Sequence, residues 1–233
     1  MLSSNAMVHN FMGFLIASCL FHSAHAEIAP SSSAILIESG KQESSIDIKN
    51  NGDKSVLLYS KIRKLPDDNL AGGTLYTDPQ VILVAAGDTQ SVRVIYRNNT
   101  TDNKEHIARV IFTGLPPQSD ISEGKVKILI GQDLPVVVNL RKNIEQKDMW
   151  QIVQYRINQG ELCIRNPSAK VFRFVPSVTI DEMKNELSFG KPYVLPGEEL
   201  CAASSNPLAH GMHININSIS DYNYQLKINK ITL

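Results

Sequence analysis

Residues 124–140 read GKVKILIGQDLPVVVNL, and the stretch joins two patterns that one strand rarely combines. Val126, Ile128 and Ile130 alternate with Lys127 and Leu129, which is the two-residue period of a half-buried strand. Pro135 then interrupts, and Val136, Val137 and Val138 resume as a solid apolar run. A proline ring removes a ladder donor, so the stretch is expected at a sheet edge or where a strand changes neighbours. Apolar edges invite pairing with another chain and are normally blunted by charge or cover. What covers this one is the question the rest of the chain has to answer.

Working outward, strand signals recur at roughly ten-residue intervals, divided by Gly, Asn, Asp and Pro, as in β-sandwiches. AILIE (34–38), SSIDIKN (44–50), SVLLYSKIR (55–63), QVILVA (80–85), SVRVIYR (91–97) and HIARVIFTG (106–114) precede the opening stretch. Together they predict one immunoglobulin-like sandwich over 27–140, with NLAGGTLYTDP (69–79) as a connecting loop. RKNIEQKDM (141–149) is polar and charged and reads as a linker. A second series from WQIVQYRI (150–157) to YQLKINKITL (224–233) predicts a smaller sandwich over 150–233. No helical period persists over ten residues, and no internal repeat stands at a fixed spacing. The expected fold is all-β, two tandem sandwiches.

The chain has 233 residues with Lys+Arg and Asp+Glu equal at 23 each. Zero net charge and the lack of any dense basic run argue against a generic nucleic-acid or anionic-membrane binder. The first 26 residues hold no charged side chain, carry the run FMGFLIASCLF, and end in Ala24-His25-Ala26 before Glu27. This is the pattern of a secretory signal cut after Ala26. Ile16-Ala17-Ser18-Cys19 offers the competing reading of a lipoprotein box. After cleavage Cys163 and Cys201 remain; in an oxidising compartment an even pair is consistent with a disulfide, two buried thiols being the alternative.

Catalytic chemistry is hard to find. His210 and His213 stand three apart, which on a strand places them on opposite faces and separates them as metal ligands. His106, Glu105 and Asp102 lack any serine or cysteine in a nucleophile-elbow context, so His106 reads as a strand-end residue. Gly72-Gly73 is no phosphate cradle. The expectation is a binding protein with no catalytic residue, metal, cofactor or small-molecule substrate. More informative charges lie on apolar strands: Arg93 between Val92 and Val94, Glu105 and Arg109 on one strand face, and Asp221 after Ile219-Ser220.

At these residues the sequence resembles the PapD-like periplasmic chaperones of chaperone–usher pilus assembly. LVAAG (83–87) with QSVR (90–93), EHIARVIFTGLPP (105–117), CIRNP (163–167), VLPGEE (194–199) and ISDYNYQ (219–225) match the family's motifs in order. The resemblance implies two immunoglobulin-like domains in a boomerang, located in the periplasm, with pilus subunits and an outer-membrane usher as partners. It also implies donor-strand complementation, in which the chaperone lends a strand to an incomplete subunit. The matching donor residues are Val126, Ile128 and Ile130, and the matching interdomain ion pairs are Arg93, Glu105 and Asp221. Better-known members anchor the subunit carboxylate with an arginine and a lysine, whose positions here are Ala34 and Pro135. Arg109 is the first substitute, ahead of Lys127 and Lys125, and the lost pair suggests the archaic (Csu-like) branch. The free protein could also cap its own edge as a dimer. The competing reading is a structural two-domain pilus subunit or adhesin, with IAPSSSAILI (28–37) as its inserting extension.

Overall fold

The computed structural model describes residues 27–98, 103–117, 128–183 and 185–233. The first sandwich stacks two sheets. One has the order β1-β3-β7-β5, formed by β1 (Ile28–Pro30), β3 (Glu43–Asn50), β7 (Thr89–Arg97) and β5 (Thr74–Asp78). The other runs β2-β9-β8-β4-β6, from β2 (Ile35–Glu38), β9 (Gln132–Leu140), β8 (His106–Leu115), β4 (Val56–Arg63) and β6 (Val81–Val84). Alternation decides which side chains go inside. Val56 and Leu58 of β4, Val92 and Val94 of β7 and Val136 and Val138 of β9 share one buried cluster, the inward face of a period-two pattern. TLYTD, expected as loop, is instead strand β5: Leu75 and Thr77 are buried between exposed neighbours. Its lead-in Gly73 lies so close to the Tyr96 ring that a Cβ would fall 2.4 Å from it, a contact only glycine permits.

The chain switches sheets near its start. β1 pairs with β3, but after Ser31-Ser32-Ser33 the chain crosses over and β2 runs parallel to β9, Ile35 opposite Val136. β9 therefore runs unbroken through Pro135, which pairs across to Arg109 of β8 just before β2 begins. The proline sits where the strand has a neighbour on one side, in keeping with its missing donor.

The second sandwich has a core of its own, built on Leu162, Ile164, Phe172, Phe174, Val178, Phe189 and Ile214 among others. Its strands are β10 (Gln154–Asn158), β11 (Glu161–Arg165), β12 (Phe172–Arg173), β13 (Ser177–Ile180), β14 (Asn185–Ser188), β15 (Tyr193–Val194), β16 (Glu199–Ala203), β17 (His213–Ile219) and β18 (Gln225–Thr232). Cys163 of β11 stands opposite Cys201 of β16, and the two form a disulfide. The segment expected as a linker is part of this body. It carries a short turn of 3-10 helix at Gln146–Asp148 and the helix α1 (Met149–Ile152), and both Gln146 and Met149 are buried. Gln146 donates to the Val171 carbonyl at 2.7 Å, which fixes the connection against β12.

Both halves are locked by the same hydrogen-bond clip. Asn50 Nδ2 donates to the carbonyls of Lys54 (2.8 Å) and Val84 (3.1 Å), and Gly52 N donates to its Oδ1 (2.9 Å). Asn166 Nδ2 donates likewise to Lys170 (2.7 Å) and Val194 (3.0 Å), with Ser168 N on its Oδ1 (3.0 Å). Gly87 and Gly197 close the two clips by donating to the carbonyls of Asn50 and Asn166, each with positive φ, 77° and 83°. That conformation is open to glycine at little cost.

Candidate functional site

The site begins where β9 outruns its neighbour. β2 covers β9 from Val136 onward; among the described residues no strand pairs with Gln132–Leu134 on the side away from β8. Leu134, Val136 and Val138 point into the first core. Residues of the same parity upstream, Ile130 and Ile128, precede the first residue of β9 and are 69% and 82% exposed. Leu129 is 44% exposed. The alternation read in the sequence thus reaches two large aliphatic side chains that stand ahead of β9 and in the open. Val126, Lys125 and Lys127 lie outside the described residues.

The outer face of the same sheet carries the charges. Arg109 Nε donates to Asp133 Oδ1 (2.9 Å) and its Nη2 to the Asp133 carbonyl (2.7 Å), while Arg63 Nη2 donates to Asp133 Oδ2 (2.7 Å). Burial works to raise the Asp133 carboxyl, but hydrogen bonds and charge from the two guanidiniums outweigh it and hold the group below the usual carboxylate range. One carboxylate against two guanidiniums leaves this face cationic. Ala34 is 4% exposed and Pro135 is buried as well, so both positions of the missing basic pair point into packed surroundings.

Arg109 and Arg63 form one wall of a pocket of about 400 Å³ between the sandwiches, with Leu65 and Ile107. The facing wall is Arg173, Lys191, Pro192, Tyr193, Ile219 and Asn223. Arg173 is held by the turn between β17 and β18, donating to the carbonyls of Ser220 (3.2 Å) and Asp221 (3.1 Å) and to Asn223 Oδ1 (2.7 Å). Burial lowers its pKa to about 10.

Beside the pocket the domains are tied by a buried knot. Glu105, 1% exposed, accepts from the amides of Arg141 (2.5 Å) and Val171 (3.0 Å) and from Lys170 Nζ (3.3 Å). Lys170 Nζ completes its three bonds with the Arg141 carbonyl (3.0 Å) and Asp221 Oδ1 (3.1 Å). Glu105 and Asp221 therefore meet on one cation, and that cation is Lys170. Arg93 is not at the interface. It lies on the outward face of β7, half exposed, paired with Asp78 and at 3.7 Å with Glu43. The parity of β7 explains this: Val92 and Val94 go inward, so Arg93 must face solvent. Lys170 was missed although a signal existed, a lysine leading into the apolar run VFRF. His106 opens β8, its Nδ1 2.8 Å from Asp68 Oδ1.

A family model for pili and flagellar-assembly chaperones, the PapD N-terminal domain, matches residues 27–139. An uncharacterised fimbrial chaperone of Escherichia coli K12, YhcA, is 33% identical over 179 residues, covering 77% of this chain and 79% of the relative. The chain belongs to the PapD family of pilus-assembly chaperones. Solved structures repeat the chaperone's fold. A chain of the Salmonella enterica SafA pilin–SafB chaperone complex superposes with TM-score 0.71 at 15% identity, covering 91% of this chain and 98% of that one. The Escherichia coli chaperone DraB follows at TM-score 0.69 and 13% identity, covering 88% and 98%. In the CsuC–CsuE complex of Acinetobacter baumannii the values are 0.58, 19%, 88% and 98%. The protein is a pilus chaperone, and the reading as a structural subunit gives way to it.

Proposed function

We propose that this chaperone captures pilus subunits by lending the segment from Val126 to Leu134 as the strand a subunit lacks. What supports the reading is the pair Ile128 and Ile130, strongly exposed and in phase with the core-facing side chains of β9. Main-chain bonds along the uncovered edge would supply affinity, and alternate side chains would fill the subunit's core. Hydrogen exchange tests it directly. Amides from 128 to 134 should slow on binding a purified pilin, and unchanged exchange there with the complex formed would refute strand lending.

Arg109 is the proposed anchor for the subunit's carboxylate, with Arg63 beside it, because two guanidinium forks share a single Asp133. An incoming carboxylate would satisfy the surplus fork. Losing a hydrogen bond to a charged group is worth about 1.5–3 kcal/mol. Arg109→Ala should therefore weaken capture roughly ten- to a hundredfold, and equal affinity in titration calorimetry would exclude it. The charged knot of Glu105, Lys170 and Asp221 is proposed to fix the angle between the domains.

The proposal extends to export into the periplasm behind a leader cleaved after Ala26, which lies outside the described residues, and to delivery of subunits to an outer-membrane usher. Without a client, the same edge is available for self-capping as a dimer. Buried Ala34 and Pro135 in place of the basic pair support placement in the archaic, Csu-like branch.

A further inference from the structure

Two of the charged contacts between the sandwiches differ in what they leave behind when broken. In the knot, the Lys170 and Glu105 side chains are wholly buried, and all three ammonium bonds go to groups at the joint. Opening it would strand a cation and an anion away from water, a costly state.

The second contact is built otherwise. Asp67, on the connection between β4 and β5, accepts from Lys191 Nζ and from the Tyr193 hydroxyl (2.7 Å). The Lys191 and Asp67 side chains are 18% and 31% exposed. Lys191 also holds Glu198 of its own domain at 2.5 Å and lies 4.6 Å above the Tyr193 ring. If Asp67 leaves, Lys191 keeps a carboxylate and an aromatic face, and Asp67 goes to water. Breaking this contact strands no charge.

We propose that Asp67, Lys191 and Tyr193 form a releasable clasp that sets the width of the interdomain pocket, with the Glu105–Lys170–Asp221 knot as its fixed pivot. Lys191 and Tyr193 stand on one wall of that pocket, and Leu65, two residues from Asp67, stands on the other. Beneath the clasp, Leu65, Ile107, Val171, Tyr193 and Leu195 make a small apolar cluster shared by both domains. Small sliding of packed surfaces against each other is one of the ways domains open and close. The Asp67 carboxyl is held below its ordinary value, since Lys191 and Tyr193 outweigh the raising effect of burial.

The clasp can be tested on the free chaperone, by spin labels at Lys49→Cys and Lys227→Cys with the native disulfide kept. Asp67→Ala should broaden and shift the interdomain distance distribution while lowering the melting temperature far less than Glu105→Ala does. Glu198→Gln, which removes the competing charge but keeps an acceptor, should leave the distribution narrow. A wild-type distribution in Asp67→Ala overturns the proposal. So does a loss of melting temperature as large as that of Glu105→Ala, which would make the contact a structural tie. The consequence for capture rests on the cleft being part of the subunit site. A broadened distribution with unaltered pilin affinity would keep the clasp and reject the cleft's part in binding.

Discussion

Ile128→Ser combined with Ile130→Ser is expected to abolish practical subunit capture without changing the chaperone's own melting curve. Burying each isoleucine is worth about 1.5–3 kcal/mol, so the pair should carry about 3–6 kcal/mol of gross binding energy before ordering losses. That corresponds to roughly a hundred- to ten-thousandfold in affinity. Stability should not move, because the side chains are 82% and 69% exposed in the free protein. Titration with a purified pilin, alongside thermal unfolding of the chaperone alone, separates the two effects. Retained affinity would remove this segment from the binding surface.

The second large effect falls on the knot. Glu105→Ala should destabilise the folded protein by about 3–5 kcal/mol, the usual result of removing one partner of a buried ion pair. Lys170 would remain wholly buried, and the amides of Arg141 and Val171 would lose their acceptor. Denaturant melts would read the loss; a change within experimental scatter would show that water replaces the carboxylate. The pH dependence has a definite sign. Burial pushes the Glu105 carboxyl above its ordinary value, against the pull of Lys170 and the two amides. A raised folded pKa gives a contribution that is full below the unfolded pKa and is lost as pH rises through the folded one. Wild type should therefore lose ground to Glu105→Gln as pH rises above the ordinary glutamate range. The opposite slope would mean that the carboxylate is the favoured form.

Much of this was legible in the residues because period-two alternation reports burial directly. Val92, Val94, Val136 and Val138 could be placed inside from the pattern alone, and the exposed row at Ile128 and Ile130 was visible as its continuation. Other features depend on partners distant in sequence. Strand parity already turns Arg93 outward, whereas Lys170 precedes β12 outside any strand, and only packing shows that it is buried. TLYTD was hidden by the glycines before it, which read as loop although they permit a close approach to Tyr96. Gln146 and Met149 sit in a charged stretch, and two buried side chains leave no periodic trace. The repeated clip leaves as little trace: it is one asparagine and one glycine per half, the asparagine amide reaching carbonyls 34 and 28 positions away.

That clip bears on how the two halves are joined. Asn166 holds the carbonyl of Lys170, the residue whose ammonium reaches Glu105. Its counterpart Lys54 occupies the same place in the first half and stays at the surface. The bolt between the domains is thus the counterpart of an exposed lysine in the first half, here wholly buried among Glu105, the Arg141 carbonyl and Asp221. Its own carbonyl is held by Asn166 within its half, while the Ala169 carbonyl and the Val171 amide on either side of it bond across the joint to Glu105. The same clip that closes the second half thus also presents to the first half the strip of backbone and the ammonium that Glu105 binds.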